Sequence, residues 1–130
     1  MEIEFINSKF VSKKEIQDFE KRLRKIIKNK KLKGYLSVNF VSKNKIKQIN
    51  KKYLNKNQAT DVLSFSSAKP SSKKEIFGDI VISPEIAKKE KITIFELVKH
   101  GLLHLAGYDH ETSLAKWKKA EKDLNKMEGN

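Results

Sequence analysis

The stretch "TIFELVKHGLLHLAGYDH", residues 93–110, is the segment around which the rest of the chain has to be arranged. Thr93 followed by Glu96 has the form of a capping box, so a helix starts here. Beyond the cap, Ile94, Phe95, Leu97, Val98, Leu102, Leu103, Leu105 and Ala106 leave almost no polar side. A helix that is apolar nearly all round belongs in the interior. Gly107 supplies a residue able to take the left-handed conformation that ends a helix and turns the chain back.

Working outward, the upstream chain offers the layers that could cover such a helix. "EIEFIN" (residues 2–7) alternates as a strand does, with Ile3 and Phe5 on one side. Ser12-Lys-Lys-Glu15 is a second capping box, opening a helix with the stripe Ile16, Phe19, Leu23, Ile26 and Ile27. Gly34 begins a strand with Leu36, Val38 and Phe40 on one face, and Ser42 caps a helix with the stripe Ile46, Ile49, Tyr53 and Leu54. "NKNQATDVLSF" is a loop entering a short strand at Val62 to Phe65, and "SSAKPSSKKE" (66–75) reads as a mobile loop. "FGDIVIS" (77–83) is a more continuously apolar and hence central strand. Ser83-Pro84 starts a short helix ending near Lys91. A last helix runs from about Ser113 to Met127 and buries Leu114, Trp117, Leu124 and Met127. Residues 1–130 therefore form one α+β domain, a small mixed sheet flanked by helices, with the histidine segment as a helix and loop.

At 130 residues the chain has room for one ordinary core and not for two. No stretch approaches the length of a membrane span, and the start lacks the basic residues and long apolar run of a signal peptide, so a cytoplasmic protein without a membrane partner is expected. Cysteine is absent, which excludes disulfides and thiolate ligands. The net charge of +13, from 29 basic and 16 acidic residues, favours a polyanionic partner, nucleic acid first. Only Arg22 and Arg24 are arginines, and much of the lysine excess is ordinary solvated surface.

His100, His104 and His110 are all the histidines of the chain, spaced H-x-x-x-H-x-x-G-x-x-H. At about 100° per residue, His100 and His104 lie roughly 40° apart on one helix face, with Glu96 one turn earlier on the same stripe. Two imidazoles on a buried helix need partners, and a shared cation satisfies both. The turn at Gly107 can bring His110 over the same face as a third ligand. Three histidines plus a water suit an open zinc site, with nickel not excluded by ligand type. Glu96, Asp109 and Glu111 are candidate acceptors for the ring N–H groups. Zinc proteases share this spacing but follow the first histidine with a glutamate base, where this chain has Gly101. Gly101 is expected to leave space beside the metal for substrate, or to admit a neighbouring strand.

These residues resemble a known family, the YbeY-type endoribonucleases of ribosomal-RNA maturation. "HGLLHLAGYDH" (100–110) matches its H-G-x-L-H-L-x-G-Y-D-H signature; "TDVLSF" (60–65) and "GDIVIS" (78–83) match in order and spacing. The resemblance implies one zinc ion held by His100, His104 and His110. It also implies cleavage of single-stranded RNA, in processing the 3′ end of small-subunit ribosomal RNA and in ribosome quality control. The partners it implies are ribosomal RNA, the ribosome and its assembly factors. The family segment Y-R-x-K-D-x-P-T-D is here "YLNKNQATD" (53–61), so Leu54 stands where an arginine is expected. Its loss removes a bidentate phosphate clamp, for which Lys52 or Lys56 could substitute only as a point charge.

No general base can be assigned from the sequence; Asp61 and Asp79 are the catalytic candidates. Asp61 could orient a water or a substrate hydroxyl, or, with Thr60, merely close a turn. Asp79 could accept a ring N–H or a backbone bond. Lys52, Lys56, Thr60, Ser64 and Tyr108 are the candidate RNA contacts; Ser64 alternates with Leu63 and Phe65 and so faces the cleft side. Phe19 and Trp117 read as core. The expected chemistry is metal-assisted phosphodiester cleavage with lysines on the RNA backbone. Two rivals are a non-catalytic RNA-binding assembly factor stabilised by zinc and, more remotely, a metalloprotease. Neither the oligomeric state nor the native metal is legible.

Overall fold

Strands β1 (Glu2–Ile6), β2 (Lys33–Phe40), β3 (Val62–Ser66) and β4 (Glu75–Ile82) form one mixed sheet in the order β1-β2-β4-β3. β1 and β4 run parallel to β2, and β3 runs antiparallel to β4. The architecture comes from a computed structural model that describes residues 1–68, 72, 74–107 and 114–128. Its helices are α1 (Lys13–Lys30), α2 (Lys43–Leu54), α3 (Pro84–Lys89), α4 (Ile94–Leu105) and α5 (Leu114–Glu128), with a 3-10 turn at Ser8–Phe10. The long returns through α1 and α2 suit strands that do not follow one another as hairpins, whereas the short β3–β4 connection permits antiparallel pairing. This is the expected mixed-sheet α+β arrangement.

The pleat separates two cores. Leu36, Val38 and Phe40 of β2 and Ile76, Ile80 and Ile82 of β4 are fully buried on one side. There they join Phe19, Leu23 and Ile26 of α1, Phe95, Val98 and Leu102 of α4 and Ala120 of α5. Burying a side chain of this size contributes about 1.5–3 kcal/mol, so this side carries most of the stabilisation. On the other side a smaller cluster joins Val41, Ile46, Leu63 and Val81 beneath α2. α1, α4 and α5 therefore cover one face and α2 the other.

The caps follow the chain's hydroxyls. Ser12 and Glu15 exchange both bonds of a capping box at 3.1 Å. Ser42 accepts the Lys45 N–H at 3.1 Å, and Ser83 caps α3 with Pro84 following it. Thr93 accepts the Glu96 N–H at 3.2 Å, one half of the expected box. Gly107, at φ 91°, turns the chain away after α4 as its position in the sequence predicts.

Two expectations are corrected here. Tyr53 and Leu54 do not lie on a buried stripe; they are 62% and 46% exposed. The buried line of α2 runs from Ile46 to Asn50, and Asn50 Nδ2 donates to the Gln58 carbonyl at 3.0 Å. That bond folds the following loop back, and Ala59 packs on the small cluster in place of the last helical turn. The segment expected as a loop over 66–75 is shorter at both ends, because Ser66 closes β3 and Glu75 opens β4. Residues 69–71 and 73 within it lie outside the described residues, as do the side chains of Leu114, Trp117, Leu124 and Met127. Among the described residues no helix is long and apolar enough to cross a membrane.

Candidate metal and nucleic-acid site

α4 lies directly on β4 because two glycines remove the side chains that would hold them apart. A Cβ on Gly101 would stand 2.8–2.9 Å from Cδ1, Cγ1 and Cγ2 of Ile80. A Cβ on Gly78 would stand 2.7 Å from Leu105 Cδ2 and 2.3 Å from the Phe65 carbonyl oxygen. Gly101 thus opens no space for substrate: the gap is filled by the neighbouring strand. The same contact leaves no room for the glutamate that zinc proteases carry at this position.

With Gly101 against the sheet, His100 and His104 stand half-buried on the flank of α4. Their Nε2 atoms are 3.2 Å apart and their rings meet edge to face, with centroids 4.8 Å apart. Two nitrogens bound to one tetrahedral zinc at 2.0–2.1 Å are separated by about 3.3 Å. The pair therefore fits two ligand positions of such an ion with no rearrangement of the helix. Without a cation, one ring must donate to the other. Among the described residues no third histidine, aspartate or glutamate completes a ligand set. His110, with Tyr108, Asp109 and Glu111, lies outside the described residues.

Beside His100 a cleft of about 460 Å³ is lined by Asp61, Glu96, Lys99, Leu103 and Glu121 among others. Asp61 is held at the entrance to β3 by its backbone, whose carbonyl accepts the Ser83 N–H at 3.0 Å. Its Oδ1 accepts the Thr60 hydroxyl at 3.4 Å. Asp61 also hydrogen-bonds the Glu90 side chain, and this bond, followed by desolvation and the like charge, raises the Glu90 carboxyl above its ordinary range. Burial, reinforced by the Arg22 charge, lowers the Lys99 ammonium. Ser64 pairs in register with Ile80, so its side chain points to the same sheet face as the histidine helix, as its alternation predicts.

Other expected members do not gather there. Asp79 alternates with Ile80 and projects to the opposite face, where it accepts the Ser37 hydroxyl. It is therefore not an acceptor for the histidine rings, and the pleat removes it as a catalytic candidate beside them. Lys52 lines a second cleft on that opposite face, together with Asp79 and Tyr53. Lys56 is exposed in the loop after α2, its N–H bonded to the Asn50 carbonyl at 3.3 Å.

Asn50 and Glu90 were not singled out by sequence reasoning. For Asn50 a signal existed, since it sits one turn after Ile46 on the buried line of its helix. Glu90 carried none, because its contact with Asp61 joins two segments that only the fold brings together.

The family profile described as endoribonuclease YbeY matches residues 2–128. Endoribonuclease YbeY of Bdellovibrio bacteriovorus is 38% identical over 74% of this chain and 67% of its own length. Endoribonuclease YbeY of Buchnera aphidicola subsp. Schizaphis graminum is 34% identical over 94% of this chain and 78% of its own. The solution structure of TM1509 from Thermotoga maritima superposes with a TM-score of 0.66 at 27% identity, covering 98% of this chain and 89% of that one. With a match running nearly end to end and these relatives beside it, the chain belongs to the endoribonuclease YbeY family.

Proposed function

We propose that this chain is a zinc-dependent endoribonuclease that cuts single-stranded RNA in the cytoplasm. Its task is maturation of the small-subunit ribosomal RNA 3′ end and ribosome quality control, beside the ribosome and its assembly factors. Family membership supports the reaction class, and the observation that carries the metal reading is the 3.2 Å approach of the two Nε2 atoms. His100 and His104, joined by His110, are the residues that would hold zinc. When bound, zinc supplies Lewis acidity toward a phosphate oxygen and lowers the pKa of a coordinated water.

The protein's own groups divide the remaining work. Asp61, whose Oδ1 accepts the Thr60 hydroxyl, is one of three carboxylates lining the cleft among the described residues, with Glu96 and Glu121, and in this reading it takes the proton of the attacking hydroxyl. Ser64, with Thr60, contacts RNA from the strand side, Lys56 holds phosphates at the loop, and Tyr108 contacts RNA beside the metal loop. Leu54, exposed at the end of α2, leaves the family's arginine unreplaced. That substitution favours a second reading, in which the chain binds ribosomal RNA without cutting it and the metal serves the fold.

Cleavage of a labelled single-stranded RNA by zinc-loaded protein separates the two readings, with His104→Ala purified identically as the control. Activity that disappears with His104 supports the endoribonuclease. Equal background cleavage by both proteins, with RNA still bound, assigns the chain to the binding class.

A further inference from the structure

We propose that the cleft between α2 and the uncovered part of the sheet is a nucleotide subsite that grips one base of the RNA on the face opposite the histidines. The proposal rests on the RNA reading above only for its choice of ligand. The cleft is about 710 Å³, within the range of small-molecule sites.

Its wall is aromatic: the Tyr53 and Phe65 rings meet edge to face at 5.7 Å, and Tyr53 is 62% exposed. A large aromatic side chain left this open contributes little to the fold, while it offers a face on which a base can stack. Phe65 is the direct cross-strand partner of Asp79, so a carboxylate stands beside the aromatic wall. Asp79 accepts the hydroxyl of Ser37, which is buried, and that bond fixes the carboxylate at the floor. Lys45 and Lys52 stand at the helix side of the cleft, with Lys52 Nζ 5.3 Å from the Tyr53 ring centroid.

Aromatic face, acceptor floor and cationic rim select one kind of ligand. A free cation would meet the lysines, and a bare phosphate would meet Asp79. A nucleotide satisfies all three, stacking its base, turning N–H donors to the carboxylate and leaving its phosphate to the lysines. Guanine fits best, because its N1–H and N2–H lie side by side and can share one carboxylate. The carboxylates of β1 stay outside the cleft, where Glu4 accepts the Tyr35 hydroxyl at 3.3 Å.

The test is titration of the full chain with GMP, AMP, CMP and UMP, followed by backbone amide NMR. None of the four contains an internucleotide bond to cleave. GMP should bind most tightly, with shifts centred on Ser37, Phe65 and Asp79. Tyr53→Ala, at an exposed position, should weaken GMP about tenfold, as expected for loss of one stacking partner. Asp79→Asn should narrow the preference for GMP over UMP, and Lys52→Ala should weaken GMP while leaving guanosine unchanged. His104→Ala should bind GMP as before. Binding of GMP by a protein that cuts no RNA would leave the subsite standing while the catalytic reading fell. Absence of saturable shifts in the cleft, or a Tyr53→Ala protein that binds GMP normally, would overturn the proposal. So would saturation of the same amides by a lysine-rich peptide and by none of the nucleotides.

Discussion

Replacing Gly101 with alanine should destabilise the protein, although alanine is the better helix former. In an unconstrained helix the exchange is worth about 1 kcal/mol in alanine's favour. Here the new methyl would sit 2.8–2.9 Å from three carbons of Ile80. Ile80 is fully buried, and the carbons include both branches at its Cβ, so no rotation of a flexible tip relieves the overlap. Inserting one methyl into a packed core typically costs about 1–3 kcal/mol. Subtracting the propensity gain leaves a net loss of about 1 kcal/mol. The decisive comparison is the same exchange in an Ile80→Ala background, which removes all three contacting carbons. That background is itself less stable by about 2–5 kcal/mol, and within it Gly101→Ala should become stabilising by about 1 kcal/mol. Urea unfolding of the four proteins measures a coupling of about 2 kcal/mol between the positions. A Gly101→Ala protein at least as stable as the parent, or the same loss in both backgrounds, would refute the wedge.

Three further outcomes are expected. Leu54→Arg, at an exposed helix end, should raise RNA cleavage roughly tenfold through one charge-assisted phosphate contact, read as kcat/KM on a short RNA. Asn50→Ala should cost about 1 kcal/mol and lower cleavage by loosening the loop that carries Thr60 and Asp61, seen by urea unfolding and faster amide exchange over 55–60. Glu90→Gln should flatten one limb of the stability–pH profile. The folded state binds the Glu90 proton more tightly than the unfolded chain does, so its contribution is complete below the ordinary carboxylate range and fades as pH rises through the raised value. The amide keeps a donor for Asp61 at all pH values, and Tm across mildly acidic to neutral pH should therefore fall less than in the parent.

Elements whose signal is local were legible in the sequence. The Ser12 box, the Ser42 cap, the Ser83-Pro84 start and the Gly107 stop all rest on groups within four residues of one another, and each appears where its pattern places it. The alternation of β2 likewise put Leu36, Val38 and Phe40 together. What escaped depends on contacts between distant segments. Tyr53 continued the apolar period of α2, yet whether that period stays buried was decided by a loop bonded back to Asn50. Asp79 sits in a strand with apolar residues on both sides, and the side it faces became clear only with its register against β2 and β3. Gly101 read either as an opening for substrate or as the approach of a strand, because a sequence does not display which side chain fills a gap; the strand fills it, through Ile80. The His100–His104 pair was legible as helical spacing, and the fold adds the convergence of their nitrogens.

The β3–β4 hairpin has a consequence for how this chain tolerates insertions and deletions. Along β3, Val62 and Ser64 point toward the histidine helix while Leu63 and Phe65 point the other way. A strand's side chains change sides with every residue, so losing or gaining one residue within Val62–Ser66 would exchange the two sets. Phe65 would turn toward α4 and Ser64 toward the aromatic cleft, and both surfaces would be lost through a single-residue change. The connection between Ser66 and Glu75 carries no such phase, since its length can vary while the pairing on either side is kept. Length variation among working versions of this protein should accumulate in that connection and be absent from the five residues before it.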